Sequence, residues 1–205
     1  SEIMLQQTQV TTVIPFWQRW VRALPSIEKL ACAKPERVLK LWEGLGYYSR
    51  ARNLQAAAKQ IVTEHNGCFP NDPEAIRALP GIGRYTAGAI GSIAFGRAEP
   101  IVDGNVTRIL TRIFGICENT KPKATQKILW SLAETMVAAA DDCSALNQSL
   151  MELGATVCHP RQPDCAVCPV RRSCVARREN SIDQIPAKSQ PPRYVEKSIE
   201  VYVVT

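Results

Sequence analysis

Apolar residues recur at spacings of three and four along most of the first 157 positions, the period of a helix with one buried face. The pattern is clearest in four segments: 37–42, 54–62, 106–114 and 128–136. Residue types that begin or end helices separate them, including Pro25, Pro35, Gly67 and Gly115. The sequence therefore predicts an all-α protein of roughly eight to ten short helices.

The two ends differ from this body. The first turn begins without an initiating Met, and Ile3, Leu5, Val10, Val13 and Ile14 predict an apolar face from the start, so we expect a segment of a longer protein. Residues 179–197 are polar and contain three prolines, which is typical of a linker. Residues 198–205 alternate in polarity as a strand does, and we expect them to begin a truncated C-terminal domain that contains β-structure.

Composition narrows the class of protein. The chain has 205 residues, of which 45% are hydrophobic and 21% charged, so intrinsic disorder is a poor interpretation. A formal net charge of +6 makes a polyanionic partner plausible. The longest nearly apolar stretch, 87–96, is too short to span a membrane, and the cysteines are not spaced as in a secreted disulfide scaffold. We expect an intracellular protein.

Four of the eight cysteines form a compact group with the spacing C-x6-C-x2-C-x5-C: Cys158, Cys165, Cys168 and Cys174. Four converging thiolates suit a [4Fe-4S] cluster or a structural zinc ion, and disulfides or unconnected thiols are the plainer alternatives. A single C-x2-C pair flanked by lone cysteines favours the iron-sulfur cluster. Between 158 and 179, five arginines accompany only two acidic residues, so this segment either contacts phosphates or is a solvated charged face.

A glycine-containing turn lies between two helical segments at 73–78 and 85–95, in the string LPGIGRYTAGA. Gly81 and Gly83 allow a sharp turn, and the helix that follows begins with unpaired amide groups that can bind a phosphate. This is the helix-hairpin-helix pattern of DNA-binding proteins. Taken alone, an ordinary turn between two helices remains the alternative.

Two carboxylates are candidates for chemistry, although each has a plain alternative. Asp103 precedes a helical segment, where aspartate commonly caps the helix. Glu2 lies on the first helix beside several glutamines, where exposure to solvent is the usual state of a glutamate. Neither residue is convincing in isolation.

Six motifs occur in a fixed order: SEIMLQQTQV, GLGYYSRARNL, LPGIGRYTAGAI, IVDGNV, NQSLMELGATVC and the terminal cysteine group. Together they closely resemble the adenine DNA glycosylases of the MutY family, within the endonuclease III superfamily. The resemblance covers residues 1 to about 178. It implies a six-helix barrel domain over 1–105, with the helix-hairpin-helix at about 73–95, and a second helical domain with a [4Fe-4S] cluster over 106–178. It also implies a substrate, double-stranded DNA in which adenine is mispaired with 8-oxoguanine or guanine.

The same resemblance implies roles for individual residues. Glu2 matches the general acid, Asp103 the carboxylate that stabilises or attacks the sugar cation, and Tyr85 a tyrosine beside the adenine pocket. Gln7 and Tyr47 match side chains that wedge into the duplex. The remaining matches are to the adenine pocket (Leu5, Gln148), to the DNA-binding hairpin (Gly81, Gly83, Arg84, Thr86) and to the cluster ligands (Cys158, Cys165, Cys168, Cys174).

These roles are chemically consistent. The target base must leave the stack, Glu2 must hold a proton for the departing adenine, and Asp103 must stay ionised beside the sugar. Bifunctional relatives carry a lysine where this chain has Tyr85, so we expect base removal without an efficient lyase step. Two alternatives stay open: an oxidised-pyrimidine glycosylase and lyase of the same superfamily, and a non-catalytic DNA-binding module. We expect a monomer, in a bacterial cytoplasm or a eukaryotic nucleus or mitochondrion.

Overall fold

The computed structural model describes residues 1–187, and all the regular secondary structure in that range is helical, which confirms the predicted all-α class. The eleven helices are α1 Glu2–Leu5, α2 Val10–Ala23, α3 Ile27–Ala31, α4 Pro35–Trp42, α5 Ser49–Glu64, α6 Pro73–Ala78, α7 Arg84–Phe95, α8 Gly104–Phe114, α9 Lys123–Ala138, α10 Cys143–Thr156 and α11 Val175–Arg178. The strand expected at 198–205 lies outside the described residues. Within residues 1–187, no helix combines the length and the apolar character that crossing a membrane requires.

Local signals set most of the helix boundaries. Four helices begin at a side chain that accepts a hydrogen bond from the third amide of the helix, and the caps are Ser26, Asp72, Asp103 and Asp142. Helices α7 and α8 end at Gly96 and Gly115, both in the left-handed conformation that glycine adopts without strain. The helical segments on either side of the glycine turn are therefore short and sharply bounded.

The first turns differ from the sequence prediction. Helix α1 ends after one turn, residues 6–9 form a break, and α2 starts again at Val10. Ile3 and Val13 are buried, but Val10 and Ile14 are largely exposed. The break changes the helical phase, so the five apolar residues do not share one face.

Two groups of buried side chains form the interior. The first lies among α1 to α5 and includes Trp20 and Trp42, whose rings meet edge to face at 5.5 Å. The second lies among α7 to α10 and includes Val106, Leu110 and Leu129. Ile82, just before α7, packs against the first group, whereas Ala89 within α7 belongs to the second. Helix α7 and its preceding turn therefore join the two halves of the described chain.

The chain beyond α11 remains packed against α8 for several residues. Ile185 is buried, and its carbonyl oxygen accepts a hydrogen bond of 2.9 Å from Nε of Arg112. The carbonyl of Ile182 accepts a second bond from the same guanidinium. The first part of the segment that resembles a linker is thus docked, and the part after residue 187 lies outside the described residues.

Candidate functional site

Three residues with predicted catalytic roles come from three different helices. Glu2 opens α1, Tyr85 lies in the first turn of α7, and Asp103 caps α8. All three are half-buried. The negative charges of Asp103 and Glu2 both act on the Tyr85 phenol, so the structure brings these three side chains into one electrostatic environment.

Asp103 is held by the helix that it caps. Its Oδ1 atom accepts a 2.7 Å hydrogen bond from the amide of Val106, which confirms the structural interpretation of this residue. One oxygen suffices for that bond, and a carboxylate has a second oxygen. The helix N-terminus also favours negative charge at this position. Capping and a charged role in the site are therefore compatible.

Tyr85 presents a neutral hydroxyl to the site. Burial, and then the nearby negative charges of Asp103 and Glu2, raise its pKa to about 12. The hydroxyl donates a 3.3 Å hydrogen bond to the sulfur of Met151 on α10. The sequence does not mark Met151 as a site residue, because a methionine on a helix is most often a core residue. At neutral pH this position offers a phenol and no amine.

The glycine turn between α6 and α7 exposes the beginning of a helix. Gly81 has φ +78°, and a Cβ there would lie 2.7 Å from the Cβ of Asn53, so only glycine fits. Gly83 caps α7 without a side chain, and the first three amides of that helix have no hydrogen-bond acceptor within residues 1–187. Unpaired amides at the start of a twelve-residue helix form an anion-binding position.

The side chains of Arg84 and Thr86 point elsewhere. Arg84 donates a 2.8 Å bond to Glu134 and stacks on Trp130, with its guanidinium carbon 3.8 Å from the ring centre. Thr86 is buried, and its hydroxyl accepts a 3.1 Å bond from Gln6. The backbone amides of both residues are therefore free at the start of α7, whereas their side chains hold α7 against its neighbours.

Gln7 and Tyr47 occupy two exposed turns, and both adopt the left-handed conformation, with φ of 55° and 47°. Tyr47 is 63% exposed although it is a large aromatic residue. Arg50, at the start of α5, hydrogen-bonds the backbone of both turns. The sequence does not mark Arg50 as a site residue, since nothing in one sequence distinguishes a buried arginine from an exposed one.

Leu5 and Gln148, which the resemblance assigns to the adenine pocket, lie on α1 and α10. Leu5 is half-buried against the first core group. Gln148 is exposed and donates to the hydroxyl and carbonyl oxygens of Ser144 on its own helix. It precedes Met151, the partner of Tyr85, by one turn of α10, so Gln148 lies one helical turn from the site.

The four grouped cysteines line a single cavity beside α8, and none of them forms a disulfide. Burial raises the pKa of the Cys165 thiol, and the negative charges of Cys168, Cys158 and Cys174 raise it further. Arg112 donates a 3.3 Å bond to the sulfur of Cys158. In the described range, no group of three or more ligating side chains is close enough to hold a single metal ion. The arginines of this segment, Arg161, Arg171, Arg172, Arg177 and Arg178, are all exposed.

Comparison with known proteins places these features in context. Residues 1–135 match the family model of the HhH-GPD superfamily base excision DNA repair proteins. The chain is 48% identical to the human adenine DNA glycosylase over 186 residues, which cover 90% of this chain and 34% of the relative. It is 41% identical to the adenine DNA glycosylase of Buchnera aphidicola subsp. Acyrthosiphon pisum, covering 92% of this chain and 54% of the relative. The chain thus spans about a third to about half the length of these two relatives.

Solved structures share the same fold. A thermostable thymine-DNA glycosylase superposes with a TM-score of 0.79 at 29% identity, covering 87% of this chain and 82% of that chain. Endonuclease III in a non-covalent DNA complex superposes with a TM-score of 0.72 at 22% identity, covering 87% and 81%. Together with the family match over residues 1–135, these likenesses show that the chain belongs to the HhH-GPD superfamily of base excision DNA repair proteins.

Proposed function

We propose that this chain is the catalytic core of a monofunctional adenine DNA glycosylase, which removes adenine mispaired with 8-oxoguanine or guanine in double-stranded DNA. One observation carries the proposal: the carboxylates of Glu2 and Asp103 lie near enough to the Tyr85 phenol to raise its pKa. Tyr85 lies in the first turn of α7, where the backbone amides are free. Similarity to adenine DNA glycosylases over nine-tenths of the chain supports adenine as the base.

The enzyme first has to extract the base, because an adenine inside a duplex is out of reach of any side chain. The free amides of α7 bind a backbone phosphate and fix the duplex without reading its sequence. The exposed Gln7 amide and Tyr47 ring then enter the stack and fill the space that the adenine leaves. The exposed arginines between 161 and 178 add positive charge for the DNA backbone.

The chemical step breaks the bond between a ring nitrogen of adenine and the sugar carbon, and both electrons of that bond leave with the base. Glu2 donates a proton to the adenine ring, so the base departs as a neutral molecule. The sugar acquires positive charge, which the Asp103 carboxylate stabilises. A water molecule then adds its oxygen to the sugar carbon and loses a proton, which leaves an abasic site and free adenine.

Tyr85 limits the reaction to base removal. A lyase step requires a primary amine that forms a Schiff base with the opened sugar. The phenol of Tyr85 has a pKa of about 12, so it stays protonated and serves as a hydrogen-bond donor. Thr107, four residues into the next helix, offers no amine either.

We further propose that Cys158, Cys165, Cys168 and Cys174 hold a [4Fe-4S] cluster. All four line one cavity, and none of them forms a disulfide. The negative charges of the other three raise the pKa of the Cys165 thiol, so a bound cation would reduce the repulsion among the four thiolates. When bound, the cluster serves as a scaffold that orders the arginine-bearing loop.

Single-turnover excision of adenine opposite 8-oxoguanine tests the assigned chemistry. We expect Glu2→Gln to lower the rate by at least about 100-fold, because it cannot donate a proton. We expect Asp103→Asn to lower the rate by about 100- to 1,000-fold, because the neutral amide no longer stabilises the cation. Glu36→Gln, on the exposed first turn of α4, is the matched control and should excise at the parent rate.

Three outcomes separate the alternatives. Equal rates in the parent, Glu2→Gln and Asp103→Asn would refute the chemistry proposed here. Excision of an oxidised pyrimidine with strand cleavage would indicate the glycosylase and lyase relatives. Binding of mismatched DNA without any excision would indicate a non-catalytic module.

A further inference from the structure

Arg50 is a buried cation without a carboxylate partner. It is only 7% exposed, and none of the ion pairs within residues 1–187 includes it. Buried charges are normally paired, so this guanidinium has to be stabilised in another way. Its hydrogen bonds go to backbone carbonyls and one hydroxyl, with only Nε left without a partner in the described part of the chain.

The guanidinium joins two segments that are far apart in the sequence. Its Nη1 atom donates to the carbonyls of Ile3, Met4 and Gln6 at 3.1, 2.8 and 2.6 Å. Its Nη2 atom donates to the Thr8 hydroxyl at 3.2 Å and to the carbonyls of Leu45 and Gly46 at 3.2 and 3.4 Å. One side chain thus spans residues 3–8 on one side and residues 45–46 on the other.

An exposed residue with positive φ lies within the first of these segments and directly after the second. Gln7 follows the bonded carbonyl of Gln6, and Tyr47 follows the bonded carbonyl of Gly46, and both have positive φ. A non-glycine residue keeps this conformation only where its surroundings impose it. Arg50 bonds the peptide group before each of them, so it is placed to impose both.

Aromatic contacts reinforce the link. The guanidinium carbon lies 5.4 Å from the Trp42 ring and 5.5 Å from the Tyr47 ring. The Trp42 indole donates a 3.0 Å bond to the same Gly46 carbonyl. The backbone amide of Arg50 donates a 2.9 Å bond to the Tyr47 carbonyl. Arg50 therefore bonds three successive carbonyls of the turn that presents Tyr47, those of Leu45, Gly46 and Tyr47 itself.

We propose that Arg50 is a positioning residue that holds the Gln7 and Tyr47 tips at a fixed separation, so that both enter the duplex together when the base is extruded. This inference rests on the proposed function, because it assigns the two tips to base extrusion. Arg50 does not touch the reacting atoms. It also anchors α1 through Ile3 and Met4, the two residues after Glu2.

Only an arginine can bridge residues 3–8 and residues 45–46 in this way. Its planar fork directs donors towards two separate segments, whereas a lysine ammonium concentrates three donors at one point. Arg50→Lys therefore preserves the charge and removes the bridge. Arg37→Lys is the matched control, because Arg37 is exposed and donates to a single backbone carbonyl, that of Ala23.

Three measurements on the full chain test the proposal. Hydrogen exchange should be faster in Arg50→Lys at residues 1–8 and 44–48 and unchanged in α9 and α10. A duplex with 2-aminopurine in place of the target adenine should show a smaller fluorescence rise on binding, because fewer bases leave the stack. The single-turnover rate at saturating protein should fall by about 10- to 100-fold, while the affinity for an undamaged duplex changes by less than about 3-fold.

A double-mutant comparison isolates the mechanism. In a Gln7→Ala, Tyr47→Ala background, Arg50→Lys should lower the rate much less than in the parent, because only its contacts with α1 remain to influence the reaction. A full effect in that background would overturn the proposal. So would an unchanged fluorescence rise, or faster exchange throughout the chain with a lower Tm, which would indicate a purely structural role.

If the proposed function is wrong, neither the parent nor Arg37→Lys would excise adenine. The exchange difference and the fluorescence rise would still decide whether Arg50 positions the two tips, since neither requires cleavage.

Discussion

At the scale of single residues, Asp103 serves the fold and the proposed reaction with the same carboxylate. Its Oδ1 caps α8, and its charge acts on the Tyr85 phenol. A capping bond is independent of charge, because asparagine caps helices about as well as aspartate. The stabilisation of a sugar cation depends on charge. Substitution can therefore separate the two roles.

We expect Asp103→Asn to change the free energy of unfolding by less than about 0.5 kcal/mol and Asp103→Ala to lower it by about 1 kcal/mol. Both variants should lose excision, since neither has a carboxylate. Denaturant titration and single-turnover kinetics provide the two readouts. Asp142, which caps α10 through a 2.9 Å bond to the Ala145 amide, is the matched control.

The Asp142 variants should show the same pair of stability changes with excision unaffected. If Asp103→Asn excised adenine at the parent rate, Asp103 would be a cap and nothing more.

At the scale of elements, α7 is the part of the chain that combines anion binding with the candidate active site. The turn before it needs glycine at position 81, where φ is +78° and Asn53 leaves no room for a Cβ. Gly83 differs, because its φ is −86° and nothing lies within 4 Å of a Cβ placed there. The fold requires glycine at position 81, whereas we propose that glycine at position 83 allows a phosphate to approach.

Gly81→Ala should lower the free energy of unfolding by about 1–3 kcal/mol and also weaken DNA binding. Gly83→Ala should lower it by less than about 1 kcal/mol and weaken DNA binding clearly, because the added methyl group projects into the phosphate position. Fluorescence anisotropy with a labelled duplex and denaturant titration measure the two effects.

Gly96→Ala is the control for the left-handed conformation alone. Gly96 ends α7 with φ +61° and open space around it, so we expect a loss of about 1 kcal/mol without any change in DNA affinity. Unchanged DNA binding in Gly83→Ala would contradict the assignment of the α7 N-terminus to phosphate.

Elements whose signals are local could be predicted from the sequence. The segments expected at 106–114 and 128–136 lie within α8 and α9, and the segments flanking the glycine turn match α6 and α7 to within one residue. The break after α1 could not be predicted, because Gln7 is not a glycine and the carbonyl before it bonds Arg50, more than 40 positions away. The exposure of Val10 and Ile14 follows from that break.

In the candidate site, too, features with local signals are predictable from the sequence, and features that depend on distant contacts are not. Glu2, Tyr85 and Asp103 lie in ordered motifs, so the sequence alone offers them as candidates. Their proximity, and the contact of Tyr85 with Met151, depend on the packing of α1, α7, α8 and α10 against one another. The side-chain directions of Arg84 and Thr86 likewise depend on residues from other helices, Glu134 and Gln6.

At the scale of the whole molecule, half of the net charge of +6 lies in residues 158–179, the segment that also holds the cysteine group. The cysteines line a cavity against α8, and five exposed arginines surround them. Arg112 ties this module to the chain up to Ile185 through buried hydrogen bonds. A basic module near the C-terminal end of the described chain and a helix start with free amides near its middle thus accompany the candidate site.

We expect this chain to release adenine and to leave the DNA strand intact, and product analysis after a single turnover can measure both. The substrate is a duplex with one adenine opposite 8-oxoguanine, and free adenine and strand breaks are quantified before and after alkali. We predict that one adenine is released for each alkali-labile site and that no strand breaks without alkali. Borohydride reduction should give no strong covalent adduct, since Tyr85 has no amine. Absence of free adenine, or a strong borohydride-trapped adduct, would contradict it.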